Sequence, residues 1–160
     1  MIGIFLLSLI QGITEFLPIS SSSHLIIFSN YTNFANQSLM IDVSLHIGSF
    51  MAVTTYFYKD VINFIKNKIL LLKIAVASIP VIIIGLFLVQ INFIEKIRNI
   101  EIIAWTTLIF GILLYISDKY KLEKKINTDF NYKSAIFIGL FQVLSLIPGV
   151  SRSGISITAA

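Results

Sequence analysis

The sequence contains no cysteine. That excludes disulfides and thiolate metal sites and leaves the redox compartment unconstrained. Charge is scarce as well: 12% of the 160 residues are Asp, Glu, Lys or Arg, against about 25% in an ordinary soluble domain. Proline occurs three times, at Pro18, Pro80 and Pro148. What fills the chain instead is Ile, Leu and Phe, with 56% of residues hydrophobic. A soluble fold of this composition would expose large apolar patches, so lipid is its natural solvent. Length alone suggests one domain. The net charge of +4 sits on Lys and Arg in polar connectors. No basic patch is interleaved with aromatics, which argues against a nucleic-acid partner. Residues 1–5 (MIGIF) carry neither a basic n-region nor a small-residue cleavage site, unlike an ordinary signal peptide.

A membrane-spanning helix needs about 20 apolar residues. Residues 69–91 and 101–117 fit that length, and residues 43–58 form a shorter, more polar span. Pro80 lies inside the first of these, which a membrane helix tolerates where neighbours satisfy the freed carbonyl. Two further apolar segments are interrupted. Residues 2–29 are broken by Pro18 and Ser20-Ser21-Ser22-Ser23, and residues 134–160 by Pro148-Gly149 and Ser151-Arg152-Ser153-Gly154. Irregular backbone at membrane depth survives only where protein buries it or water reaches it, so each break implies a cavity. Aligning Ser20 with Ser151 places Gln11 on Gln142. Paired interrupted segments in two halves of a chain point to a midplane binding site between repeats.

Orientation follows from Lys and Arg in short connectors. Connectors 30–42 and 92–100 together carry two such residues, connectors 59–68 and 118–133 eight. The latter pair is therefore cytoplasmic and the first break opens outward. Tyr31, Tyr56, Tyr58, Tyr115 and Tyr120 lie near span ends, as an interfacial belt requires.

Gln11 and Glu15 stand four residues apart, on one helix face. A carboxylate this deep in an apolar segment costs on the order of 3 kcal/mol unless compensated. It is either a functional group or a hydrogen-bond partner between helices. His24 can serve as acid or base near neutral pH, or sit as a satisfied core histidine. The four serines offer a nucleophile if a base reaches one of them, and otherwise read as a hydrophilic turn. Arg152 is the only basic residue after Lys133. It needs an anion, either phosphate oxygens matched to its planar guanidinium or Glu15. Gly149 and Gly154 allow backbone amides to approach such an anion, and half-helix N-termini favour it.

The run QGITEFLPISSSSHL at 11–25 and PGVSRSG at 148–154 closely resemble the two signatures of the undecaprenyl-diphosphate phosphatases, the bacitracin-resistance phosphatases. IDVSLHIGSFMAV at 41–53 and SIPVIIIGL at 78–86 resemble two further shared blocks, so the likeness runs along the whole chain. It implies an all-α integral membrane protein, a multi-span bundle with two re-entrant hairpins (2–29 and 134–160) related by inverted repeat. It also implies removal of the terminal phosphate of undecaprenyl diphosphate on the outer face of the bacterial cytoplasmic membrane. That step regenerates the lipid carrier for peptidoglycan and confers bacitracin resistance.

By motif position the resemblance makes Gln11, Glu15, Ser21 and His24 catalytic, with Gln11 and Glu15 also holding a divalent cation, magnesium or calcium. Ser20, Gly149, Ser151, Arg152 and Ser153 become the diphosphate-binding set. Ser21 and His24 both remain open as the nucleophile. The partners implied are the lipid substrate, the surrounding lipids and optionally a second copy in a homodimer, with no nucleic acid. Ser23 replaces the Gly that usually precedes the histidine, and Ser156 a usual Thr. Family members also continue with more membrane helices. The chain ends at Ala159-Ala160, so the second repeat is expected to be incomplete and the chain to be a fragment, a decayed product or one needing a partner. Broken helices and midplane charges equally suit a lipid-carrier transporter, and a purely structural membrane subunit is the third alternative.

Overall fold

The computed structural model describes residues 2–32, 38–119 and 130–159. All regular structure there is helical. Helix α1 (Ile2–Thr14) is a continuous apolar run. It stops at Thr14 because the ring of Pro18 would clash with the carbonyl four residues back. A tight turn with the Leu17 amide donating to the Thr14 carbonyl at 3.3 Å closes it. The chain passes through Ser20 in extended conformation and re-enters helix as α2 (Ser21–Tyr31). The first expected break is therefore present, at residues 15–20.

Helix α3 (Leu39–Tyr56) is capped by Ser38, whose side chain accepts from the Ile41 amide. It begins four residues before the expected span because that cap and Asp42 in its first turn allow a polar start, which hydropathy alone does not reveal. Helix α4 (Tyr58–Lys66) buries no residue. Helix α5 (Lys68–Gln90) is capped by Asn67 and runs through Pro80 unbroken. After the short α6 (Phe93–Ile97) comes α7 (Ile100–Lys119). Helix α5 and helix α7 are long and apolar enough to cross a membrane, and only 6% of each apolar window is buried. A core helix of a soluble protein would be mostly buried, so these surfaces suit lipid. Tyr31, Tyr56, Tyr58 and Tyr115 are exposed. Tyr120, Lys121, Lys124 and Lys125, which entered the interfacial and charge readings, lie outside the described residues.

Helix α8 (Tyr132–Gln142), capped by Asn131, tightens into a 3₁₀ turn (Val143–Leu146). A turn at Pro148-Gly149, with the Val150 amide donating to the Ile147 carbonyl at 3.2 Å, then leads to α9 (Arg152–Ala159). The second break thus lies at residues 147–151. Gly149 has a φ of +99°, a conformation that side chains with a Cβ rarely adopt. Helix α8 packs on α5 at its closest where Gly139 meets the Ala77 backbone; a Cβ at Gly139 would collide with it. Small residues permit such contact between apolar helices, where dispersion drives association. Helix α9 packs on α7 and α8, and α1 on α2 and α3.

Candidate active site

The two breaks meet. The Ser153 hydroxyl lies 3.4 Å from the Leu17 carbonyl, to which it donates. A Cβ on Gly154 would stand 3.3 Å from the Pro18 carbonyl, so glycine lets α9 start directly against the first turn. Ser151 starts α9 by accepting the Gly154 amide at 3.2 Å. Its hydroxyl pairs with that of Ser153 at 3.1 Å, as that of Ser20 pairs with Ser22 at 3.2 Å. The N-termini of α2 and α9 consequently open into one cavity of about 350 Å³, lined by Ser20, Ser21, Ser22, Ser151, Arg152 and Ser153 among others. Both termini bring the positive ends of helix dipoles, which favour an anion.

Glu15 projects into the same cavity. Its Oε2 accepts the Ser21 hydroxyl at 2.7 Å and the Gln11 Nε2 at 2.8 Å. The i, i+4 spacing of Gln11 and Glu15 produces the second contact, as one helix face requires. Gln11 is almost fully buried, and its Oε1 has no hydrogen-bond partner among the described residues. Arg152 lines the cavity beside Glu15, yet the two form no ion pair among the described residues. The guanidinium is exposed and available to an anion from outside the chain.

A larger cavity, about 640 Å³, adjoins the first and shares Glu15, Ser22, His46 and Arg152 with it. One wall is the apolar face of α3, formed by Val43, Ile47, Phe50 and Val53. At its polar end Arg98 pairs with the buried Asp42, Nη2 to Oδ2, at 2.5 Å.

Some residues singled out by sequence sit elsewhere. His24 donates from Nδ1 to the Ser20 carbonyl at 2.7 Å, and it lines an apolar recess with Ile10, Ile13 and Ile27. It lines neither cavity that holds Arg152. Gly149 is buried against α7, where Thr106 donates to the Pro148 carbonyl at 2.6 Å; it shapes the break and does not line the cavities. Ser23 is buried and donates to Ser20 at 2.9 Å. Conversely, His46 places Nε2 3.5 Å from Glu15 Oε2, a contact that sequence reasoning missed. The signal existed: Asp42 and His46 share an i, i+4 spacing inside an apolar helix, as Gln11 and Glu15 do.

Among the described residues, no three His, Cys, Asp or Glu side chains converge as a metal cluster. Gln11 turns its amide nitrogen to Glu15, so the two do not present paired oxygens. A calcium ion, which takes about six to eight oxygen ligands, fits this set poorly. Magnesium, held by one carboxylate together with substrate oxygens and water, is compatible with it.

Residues 4–160 match the family model described as bacitracin resistance protein BacA. The chain belongs to this family. A Pelagibacter ubique protein named undecaprenyl-diphosphatase is 51% identical over 99% of the chain and 62% of its own length. A Jannaschia undecaprenyl-diphosphatase is 46% identical over 98% of the chain and 64% of its own length. Undecaprenyl-diphosphatase 3 of Bacillus cereus is 42% identical over 98% of the chain and 61% of its own length. The chain thus spans somewhat under two thirds of these BacA relatives.

Proposed function

We propose that the chain carries the diphosphate-cleaving site of an undecaprenyl-diphosphate phosphatase. It hydrolyses the terminal phosphate of undecaprenyl diphosphate, returns the monophosphate carrier to wall synthesis, and thereby supports bacitracin resistance. The observation that carries this reading is the Ser21–Glu15 hydrogen bond of 2.7 Å in a cavity that also holds Arg152. A hydroxyl beside a carboxylate base, facing a guanidinium, suits nucleophilic phosphoryl transfer.

In this mechanism Arg152 and the amides opening α2 and α9 bind the diphosphate oxygens, with the Ser20, Ser151 and Ser153 hydroxyls nearby. Ser21 Oγ attacks the terminal phosphorus while its proton passes to Glu15 Oε2. The anhydride bond breaks, and the lipid monophosphate leaves with the bonding pair. Water then attacks the phosphoserine, releasing inorganic phosphate and restoring Ser21. Glu15 and the diphosphate oxygens would hold a magnesium ion, which supplies neutralisation of oxygen charge. His24, whose ring donates to the Ser20 carbonyl and lines a separate recess, would steady the start of α2.

The same reading places α3, α5 and α7 across the bacterial cytoplasmic membrane, treats the two broken segments as re-entrant hairpins of an inverted repeat, and opens the site outward. The corresponding hydroxyl pairs, Ser20–Ser22 and Ser151–Ser153, support the repeat. Purified protein in detergent, given undecaprenyl diphosphate, is expected to release phosphate, and Glu15→Ala to abolish the release. Movement of the carrier across proteoliposomes without hydrolysis would instead establish a transporter.

A further inference from the structure

We propose that His46 is a positioning residue for Glu15. The inference rests on the phosphatase reading for its kinetic consequence but on geometry alone for the contact. His46 lies one helical turn after Asp42 on α3, and its Nδ1 is 2.8 Å from the Asp42 carbonyl. A carbonyl oxygen only accepts, so Nδ1 carries a hydrogen and the ring orientation is set. That anchor turns Nε2 toward Glu15 Oε2, 3.5 Å away. Because Nδ1 already carries a hydrogen, Nε2 carries one only in the imidazolium form, and in that form the contact is an ion pair.

Ser21, Gln11 and His46 therefore meet Glu15 on one oxygen, Oε2, and approach it from α2, α1 and α3. Among the described residues the hydrogen bonds and the ion-pair contact of the Glu15 side chain fall on Oε2. Of the three, only His46 comes from an element outside the first broken segment. The other charged groups around its cavity are Asp42 on its own helix, Arg98 before α7, and Arg152 on α9. The Asp42–Arg98 pair fixes the first turn of α3 and so the height at which the ring stands. As an imidazolium, His46 thus steadies the carboxylate against which Ser21 is aligned.

Misplacing a reacting group by about 1 Å can cost on the order of a hundredfold in rate. His46→Ala is expected to lower kcat on the order of tenfold to a hundredfold, leaving KM close to wild type because Arg152 and the helix N-termini are untouched. His46→Gln, whose amide nitrogen reaches the place of Nε2, recovers most of kcat. His46→Phe keeps the bulk without the donor and does not recover it. A second measurement needs no turnover. The Glu15 carboxylate stretch, isolated as an infrared difference against Glu15→Gln, shifts in His46→Ala and returns in His46→Gln. Unchanged kcat together with an unshifted band in His46→Ala overturns the proposal, as does full recovery by His46→Phe. A band that shifts in His46→Ala although the wild-type protein releases no phosphate would refute the phosphatase reading and leave the His46–Glu15 contact standing.

Discussion

Ser153 and Leu17 stand 136 positions apart in sequence, yet the serine hydroxyl donates to the leucine carbonyl at 3.4 Å. This contact holds the start of α9 on the turn after α1, and through it Arg152 comes to share a cavity with Glu15.

The junction is crowded at Gly154. A Cβ there lies 3.1 Å from the Ser151 Cβ and 3.3 Å from the Pro18 carbonyl. Gly154→Val is expected to push the breaks apart and destabilise the fold by about 1–3 kcal/mol. Thermal unfolding in detergent measures the loss, and phosphate release should fall with it.

Ser21→Ala removes the hydroxyl bonded to Glu15 and is expected to reduce turnover by on the order of a thousandfold or more, as loss of a nucleophile does. Ser22→Ala, which removes only a bond to Ser20, should stay within about tenfold. Rapid quenching followed by peptide mapping should find phosphate on Ser21; phosphate on His24 would reverse the assignment.

Arg152→Lys keeps the charge but loses the planar fork that suits phosphate oxygens. KM for the lipid diphosphate is expected to rise on the order of tenfold with a smaller change in kcat, since one charge-assisted bond is worth about 1.5–3 kcal/mol. Steady-state kinetics at fixed detergent composition separate the two constants.

Arg98→Gln deletes the ion pair to Asp42, which is 4% exposed. A loss of about 1.5–3 kcal/mol is expected. The double variant Asp42→Asn/Arg98→Gln should recover part of it, because no charge is then left inside. Midpoints of thermal unfolding for the two variants give the comparison.

Much of this architecture is legible in the sequence. The three uninterrupted apolar runs and the two breaks follow from length, proline and serine, because a helix cannot continue through the Pro18 ring without losing a carbonyl partner. The Gln11–Glu15 contact follows from helical spacing. Periodicity could not show which histidine reaches Glu15. His24 is near in sequence, but its ring is held by the Ser20 carbonyl one turn back and turned toward Ile10 and Ile13. His46 is 31 positions from Glu15 and arrives through the packing of α3 on α1, which no local pattern encodes. Gly149 was legible as a special backbone position, but its neighbour Thr106 belongs to a distant helix.

The larger chamber has a charged end and an oily flank, with Ile47 and Phe50 of α3 facing outward beside Arg98 and Arg152. On the phosphatase reading, a lipid diphosphate would set its head at the charged end and lay its chain along the apolar flank. Lifting that tail through water would cost about 0.8 kcal/mol for each methylene. On that reading the chamber would recognise the head, and tail length would matter little to its affinity.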